Sequence, residues 1–202
     1  MTVIIETAVG NVGSILNMCR KMGIETIVSS DPEIVGKAGK IILPGVGTFD
    51  SGMRFLHQRG LAAVLSAAVI EKNVPILGIC LGMQLFAKKS EEGTLPGLGW
   101  IDGRVERFKN DAVKVPHMGW NTLAIKGDSP LFKDLSDEHR FYFLHSYHFV
   151  TDSSEYQIAY TSYGYNFIAA VRHKNIFGVQ FHPEKRHNCG LMLLKNFAEL
   201  QC

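Results

Sequence analysis

The stretch Val74-Pro75-Ile76-Leu77-Gly78-Ile79-Cys80-Leu81-Gly82 decides the fold class of this chain. Its apolar first part, Val74–Ile79, predicts a buried strand, and the following Leu81–Lys88 predicts a helix. A strand that turns sharply into a helix, with glycines two residues before and after the turn residue, is typical of a nucleophile elbow. Here Cys80 occupies the position that serine has in serine hydrolases. We therefore predict that its sulfur projects at the carboxyl edge of a sheet.

Sterics explain why glycine is found at both positions that flank the turn. Such a turn strains the backbone of the nucleophile, and a side chain at Gly78 or Gly82 would clash with the adjoining strand or helix. The first backbone N–H groups of the new helix would point at the reacting carbonyl and favour the thiolate form of Cys80. On its own, however, a buried cysteine is more often an inert small hydrophobic residue.

A second motif, Gly178-Val179-Gln180-Phe181-His182-Pro183-Glu184, supplies the groups that a cysteine nucleophile needs. A predicted strand ends just before His182. Because Pro183 favours an extended conformation in His182, residues 182 and 184 point to the same side. Glu184 can then hold the imidazole in the right tautomer while its other nitrogen faces Cys80. Each motif alone is more often structural, but both at strand ends of one sheet predict a catalytic triad.

The rest of the chain supplies the elements of an α/β fold. Before the elbow, apolar runs alternate with amphipathic stretches, which implies right-handed crossovers. After it, the runs are mainly strand-like. We predict one domain, residues 1–202, with a mostly parallel central sheet flanked by helices and an antiparallel β-rich second half. The other predicted strands are Val3–Glu6, Glu25–Ser29, Lys40–Leu43, Trp100–Phe108, Asn121–Ile125, Arg140–Phe149, Tyr156–Ser162, Phe167–Arg172 and Ile176–Phe181, and the other helices are Ser14–Met22, Asp50–Arg59, Leu61–Lys72 and Leu191–Leu200.

Composition excludes several classes of protein. The chain has 202 residues, 46% of them hydrophobic, which fits one domain with a sizeable core. A formal charge of +2 without a basic stripe argues against nucleic-acid binding. The most apolar windows, Leu61–Ile70 and Val74–Ala87, are too short to span a bilayer, and the N-terminus lacks the basic start of a signal peptide. We expect a cytoplasmic protein that does not contact membranes.

Neither the cysteines nor the histidines predict a metal site. Cys19, Cys80, Cys189 and Cys202 form no C-x-x-C pair and match no disulfide scaffold. The histidines outside the triad motif lack metal-ligand spacing. Gly10-Asn11-Val12-Gly13 lacks the full G-x-G-x-x-G spacing of a dinucleotide site. We therefore expect neither a metal ion nor an organic cofactor.

These motifs resemble those of the class I (triad) glutamine amidotransferases, and the resemblance covers essentially the whole chain. It is carried by Leu43-Pro44-Gly45-Val46-Gly47, by the elbow extended to Gln84, and by the His-Pro-Glu motif. The resemblance implies that Cys80 attacks the side-chain amide of glutamine while His182, oriented by Glu184, transfers protons. The implied oxyanion-hole residues are Val46, Gly47 and Leu81, and the implied substrate-binding residues are Gly45, Gln84, Ser146 and Tyr147.

Within this class, Val115-Pro116-His117-Met118-Gly119-Trp120-Asn121 and Phe141-Tyr142-Phe143-Leu144-His145-Ser146-Tyr147 resemble segments of the glutaminase subunits of imidazole glycerol phosphate synthase, which act in histidine biosynthesis. The resemblance implies a heterodimer with a (β/α)8-barrel cyclase, which receives ammonia through an internal passage. Interfaces favour methionine and tryptophan. The implied interface and passage residues are Pro116, His117, Met118, Trp120, Asn121 and Tyr142.

The chain departs from the family pattern at two places near surfaces that could meet a partner. The usual Ile-Asp-Tyr-Gly before Gly-Asn is replaced by Ile5-Glu6-Thr7-Ala8-Val9-Gly10-Asn11, and the usual His-Pro-Glu-Lys-Ser continues as Lys185-Arg186-His187. The alternative function is therefore a paralogous glutaminase subunit that supplies ammonia to a nucleotide-sugar amidotransferase. A stand-alone cysteine hydrolase and a non-catalytic binding module are disfavoured, because the docking segments and the intact triad motifs would then have no use.

Overall fold

The computed structural model describes residues 1–7, 11–109 and 113–200. Residues 8–10 of the replaced segment 5–11 and Cys202 lie outside these ranges. The strands described are β1 (Thr2–Ile5), β2 (Thr26–Ser29), β3 (Lys40–Gly45), β4 (Ile76–Cys80), β5 (Lys89–Ser90), β6 (Arg104–Arg107), β7 (His117–Thr122), β8 (Ala124–Ile125), β9 (Arg140–His145), β10 (Tyr147–Val150), β11 (Gln157–Tyr163), β12 (Tyr165–His173) and β13 (Ile176–Val179). The α-helices are α1 (Val12–Lys21), α2 (Pro32–Val35), α3 (Phe49–Gln58), α4 (Leu61–Ser66), α5 (Leu81–Gln84) and α6 (His187–Glu199).

One large sheet organises the molecule, with strand order β2-β1-β3-β4-β13-β12-β10-β6-β5; β11 also pairs with β12, and β8 pairs with β11. Strands β2, β1, β3, β4 and β13 are parallel to one another. Strands β12, β10 and β11 pair in antiparallel fashion. The predicted α/β fold class, with a parallel half and an antiparallel half, is confirmed.

Helices cover both faces of the parallel half because side chains alternate along each strand. On β1, Ile4 belongs to the core cluster that includes apolar side chains of α1 and α6. Its neighbours Val3 and Ile5 belong to the other cluster, with α3 and α4. All three side chains are fully buried. Within the described ranges, no helix is long and apolar enough to cross a membrane.

The three motif segments meet at one edge of this sheet. β13 lies beside β4 with Val179 opposite Ile79, so the residues that follow the two strands are neighbours. On the other side of β4, β3 places Gly45 opposite Cys80. Because these strands are parallel, their carboxyl ends share an edge, where open α/β sheets bind ligands.

Several predicted elements have different bounds in the structure. The helix predicted over Leu61–Lys72 is α4 followed by a π-helical segment, Ala67–Glu71. The predicted strand Arg140–Phe149 is two strands that separate at Ser146. β9 pairs with β7 in a separate two-stranded sheet, whereas β10 joins the large one. Helix α2 was not predicted, although the Asp31 carboxylate caps it by accepting the Glu33 N–H.

Candidate active site

The elbow packs so tightly that only glycine fits on either side of Cys80. A Cβ at Gly82 would lie 1.8 Å from the carbonyl oxygen of Leu43, and one at Gly78 would lie 2.6 Å from the Phe86 ring. The first of these neighbours is a backbone atom of β3 and cannot rotate away. The glycines therefore let α5 begin directly against the sheet, as the sequence motif predicts.

Cys80 has φ 54° and ψ −110°, a conformation that residues with side chains rarely adopt. It lines a cavity of about 520 Å³. Two groups lie near its Sγ atom: the carbonyl oxygen of Leu144 at 4.0 Å and the amide nitrogen of Gln180 at 3.7 Å. The strained turn thus presents the sulfur to a cavity large enough for a small amino acid.

His182 and Glu184 follow β13 and form a buried hydrogen-bonded pair. His182 Nδ1 lies 2.9 Å from Glu184 Oε1, and the backbone N–H of His182 donates to Tyr142 O over 2.8 Å. A carboxylate can only accept, so Nδ1 carries the proton of this bond. The other ring nitrogen, Nε2, is then free to exchange a proton with Cys80.

The surroundings of His182 favour a charged imidazolium. Burial alone would lower its pKa, but the interactions with Cys80 and Glu184 outweigh burial and raise the pKa to about 10. A raised pKa favours the form of the ring that holds two protons beside the sulfur. This protonation state suits a general acid that must protonate a leaving group.

Most of the residues predicted for the site share the wall of this cavity. In addition to the triad, the wall includes side chains or backbone from the segment after β3, the elbow helix and the segment between β9 and β10. The predicted residues found there are Val46, Gly47, Cys80, Leu81, Gln84, Tyr142, Ser146, Tyr147, His182 and Glu184.

Gly45 is an exception, because it is not among the residues that line the cavity. A Cβ at this position would lie 2.9 Å from Leu81 Cβ. The missing side chain lets β3 approach the elbow, and substrate binding by Gly45 stays a prediction.

Glu92, which was not predicted from the sequence, also lines the cavity. Its Oε2 accepts the Phe49 N–H at the start of α3 over 2.8 Å, and burial raises its pKa. Glu92 thus brings a second carboxylate to the cavity wall, in addition to that of Glu184. The available signal was weak: an acidic pair, Glu91-Glu92, shortly after the elbow helix.

The small sheet of β7 and β9 exposes an apolar face next to the cavity. Met118, Trp120 and Leu144 are 61%, 48% and 43% exposed. Met118 pairs with Leu144 and Trp120 with Tyr142, so their side chains form one surface, which we call the β7–β9 face. Tyr142 and Leu144 also line the cavity, so this face borders its mouth.

His117, predicted from the sequence to belong to the partner interface or the ammonia passage, is buried. Its neighbours along β7 point outward, so strand alternation turns His117 inward, and it is only 3% exposed. Its ring stacks on Tyr163 with a centroid distance of 4.1 Å. Its Nδ1 lies 3.1 Å from His145 Nε2, and His145 Nδ1 lies 2.8 Å from the carbonyl oxygen of Tyr147. His117 therefore belongs to a buried polar chain beneath the face.

This histidine pair should make the protein sensitive to mild acid. Burial lowers the pKa of His117 to about 4 and that of His145 to about 3. In the unfolded chain both histidines take up a proton near pH 6.5. The stability that the two neutral rings contribute is therefore fully present above pH 6.5 and is lost as the pH falls. We expect the free energy of unfolding to fall by roughly 2–4 kcal/mol between pH 7 and pH 5, measured by urea titration.

The controls separate these two rings from the general effect of acid. His117→Phe keeps the stacking on Tyr163 but removes one proton site, so it should flatten the pH dependence. His57→Gln, which changes an exposed histidine, should leave it unchanged. If the free energy of unfolding falls equally steeply with pH in the wild type and in His117→Phe, then His117 is not a source of the acid sensitivity.

The described residues contain no group of three or more His, Cys, Asp or Glu side chains placed to hold a metal ion. Within the same ranges the free cysteines are Cys19, Cys80 and Cys189, all buried. Cys19 and Cys189 belong to the core cluster of α1 and α6. Cys80 is the cysteine that lines the cavity.

Comparison with known proteins agrees with this geometry. The model of the family "Glutamine amidotransferase class-I" matches residues 3–200. Imidazole glycerol phosphate synthase subunit HisH 2 of Methanococcus maripaludis is 46% identical over 200 residues, covering 98% of this chain and 99% of that protein. Subunit HisH of Bdellovibrio bacteriovorus is 44% identical over 204 residues (99% and 100%). Subunit HisH 2 of Pseudomonas aeruginosa is 46% identical over 201 residues (99% and 100%).

Solved structures show the same fold at low sequence identity. A crystal structure of a glutamine amidotransferase superposes with a TM-score of 0.72 at 19% identity, covering 98% of this chain and 99% of that one. The glutaminase domain of Trypanosoma brucei CTPS, with bound acivicin, gives a TM-score of 0.70 at 16% identity (98% and 92%). The chain belongs to the class-I glutamine amidotransferase family.

Proposed function

We propose that this chain is the glutaminase subunit of imidazole glycerol phosphate synthase, which hydrolyses glutamine to glutamate and passes ammonia to a (β/α)8-barrel cyclase. Full-length relatives at 44–46% identity that bear this subunit name support the assignment. The single structural observation that carries it is the position of the β7–β9 face. An exposed apolar face beside the mouth of the Cys80 cavity fits a partner that receives the product there.

The chemistry follows from the triad. Cys80 Sγ attacks the amide carbon of glutamine, forming a C–S bond. His182 gives a proton to the nitrogen as the C–N bond breaks, and ammonia leaves. Water then attacks the thioester and loses a proton to His182, the C–S bond breaks, and glutamate departs. Glu184 keeps His182 oriented through both steps.

The rest of the cavity wall would stabilise and hold the substrate. The backbone N–H groups of Val46, Gly47 and Leu81, three residues that line the cavity, are the proposed oxyanion hole. Gln84, Ser146 and Tyr147 are the proposed contacts to the amino-acid end. To these we add Glu92, whose carboxylate would pair with the α-ammonium group of glutamine.

The proposed docking surface is the β7–β9 face with its neighbours Pro116 and Asn121. Interfaces favour large, adaptable apolar side chains such as Met118 and aromatic anchors such as Trp120. Ammonia released in the cavity would leave past Tyr142, which belongs to both the face and the cavity wall.

A second candidate partner is a synthase that aminates a nucleotide-linked sugar. One observation favours it: the Arg186 guanidinium lies 5.5 Å above the Trp120 ring, on the proposed docking surface. The usual family motif has serine at this position. A cation beside Trp120 would suit a partner whose docking surface is more acidic at this point.

The test is glutamate release from glutamine with and without the barrel cyclase of the same organism, loaded with a substrate analogue. We expect a low basal rate that rises at least about tenfold, since a tenfold change requires only about 1.4 kcal/mol of added transition-state stabilisation. Met118→Asp should reduce this stimulation because it places a charge in the apolar interface.

Ile70→Asp is the matched control, since Ile70 is 51% exposed in the π-helical segment away from the β7–β9 face. It should leave the stimulation unchanged. A basal glutaminase rate that does not respond to the cyclase would contradict the histidine-pathway assignment. In that case the second partner is tested by adding a sugar-aminating synthase. If it is the partner, it should raise glutamate release, and Arg186→Ser should reduce that stimulation.

A further inference from the structure

Gln180 is a fully buried polar residue beside the nucleophile, and the mechanism above does not use it. It lies between β13 and His182 and is not among the residues that line the substrate cavity. Its side-chain Nε2 is 3.7 Å from Cys80 Sγ, within hydrogen-bonding distance for sulfur. The contact therefore reaches the sulfur from the protein interior.

A chain of hydrogen bonds fixes which end of the Gln180 amide faces the sulfur. The carbonyl oxygen of Tyr147 can only accept, so the Gln84 side chain must direct its NH2 group towards it, at 2.9 Å. The same NH2 group donates to Gln180 Oε1 over 3.0 Å. With its oxygen held by Gln84, Gln180 must direct its own NH2 group at Cys80.

A further contact holds the start of this chain. His145 Nδ1 donates to the same carbonyl oxygen of Tyr147 over 2.8 Å, so both lone pairs of that oxygen are used. Gln84 and His145 are 5% and 6% exposed. Water therefore has little access to these bonds, and their orientation cannot easily reverse.

We propose that Gln180 is a catalytic residue whose amide N–H donates to Cys80 Sγ and stabilises the thiolate from the side opposite the substrate. A hydrogen bond to a charged acceptor is stronger than one to a neutral acceptor, so this contact favours thiolate over thiol. His182 supplies a positive charge to the same atom. The inference deepens the proposed function and rests on it for the turnover readout, whereas the sulfur contact is testable by itself.

Two variants of similar side-chain length separate hydrogen bonding from packing. Gln180→Met removes the donor, and Gln180→Glu replaces it with an acceptor of nearly the same shape. The first measurement is the rate at which iodoacetamide alkylates Cys80 in the full chain between pH 5 and pH 10, followed by mass spectrometry of the peptide that contains Cys80. The second is kcat and KM for glutamine in the complex with the synthase partner.

We expect the alkylation rate at pH 7 to fall about 10- to 100-fold in Gln180→Met and further in Gln180→Glu, with the pH profile displaced to higher pH. The value of kcat should fall while KM changes little, because Gln180 lies behind the sulfur. Asn196→Leu is the control for loss of a buried amide. Asn196 Nδ2 donates to the carbonyl oxygens of Leu131 and Lys133, and its loss should leave the alkylation rate unchanged.

A wild-type alkylation rate in Gln180→Met, or equal rates in the Met and Glu variants, would overturn the proposal. A separate outcome is that the wild type does not hydrolyse glutamine while the alkylation rate still falls from the wild type to Gln180→Met to Gln180→Glu. In that case the proposed function fails, but the role of Gln180 stands. If the variants do not fold, the wild-type protein supplies the answer by NMR. The side-chain NH2 signal of Gln180 should then shift when Cys80 is alkylated, and an unmoved signal would refute the contact.

Discussion

Cys80→Ala is expected to lower glutamate release by about 10³-fold or more, because removing a catalytic nucleophile leaves only binding and oxyanion stabilisation. No other described cysteine can replace it, since Cys19 and Cys189 are buried and do not line the cavity. The measurement is the steady-state rate of glutamate formation in the presence of the synthase partner.

Cys189→Ala is the matched control. Cys189 is fully buried, and its Sγ contacts the carbonyl oxygen of Arg140 over 3.7 Å. Its loss should affect stability modestly and turnover little. Urea unfolding should show that the Cys80→Ala chain remains folded. Glutamine hydrolysis at the wild-type rate by a folded Cys80→Ala chain would show that the triad mechanism is wrong.

Gly82→Ala should unfold or severely distort the elbow. Its Cβ would overlap the carbonyl oxygen of Leu43 at 1.8 Å, and relief requires β3 and α5 to separate. Because β3 belongs to the main sheet and α5 packs in the same core cluster, we expect a loss of about 4 kcal/mol or more in the free energy of unfolding. Glutaminase activity should disappear with it.

Gly13→Ala tests whether the effect belongs to the elbow. Gly13 lies in α1, and an added Cβ there meets no atom within 4 Å. Alanine should stabilise this helix by about 0.5–1 kcal/mol, because it restricts the unfolded chain. A Gly82→Ala protein as stable as Gly13→Ala would contradict the steric argument for the elbow.

The candidate reacting groups could be proposed from the sequence because their chemistry is encoded locally. Cys80 lies between two glycines that a strand-to-helix turn requires, and His182 and Glu184 lie two residues apart in a segment predicted to be extended. In the structure these segments follow adjacent parallel strands, and His182 Nδ1 lies 2.9 Å from Glu184 Oε1. The predicted extended conformation is wrong for Glu184, which lies in a 3₁₀ helix, Pro183–Lys185. The fold class followed from the same strands and helices.

The parts that the sequence did not reveal depend on contacts between distant segments. Glu92 reaches the cavity because its carboxylate caps α3 at Phe49, 43 positions earlier in the chain. Gln84 and Gln180, 96 positions apart, become partners only when β13 settles beside β4. Whether His117 or Met118 points outward depends on the strand register, which a motif match does not fix.

The backbone of Cys80 has a consequence for how this sequence can change over time. A cysteine held at φ 54° raises the free energy of the folded state by about 1–3 kcal/mol, whereas glycine adopts that conformation freely. Selection for turnover and selection for robustness therefore act in opposite directions on a single residue. A lineage that no longer needed the reaction would gain stability by discarding its nucleophile, so the strained cysteine is itself a sign of continued use.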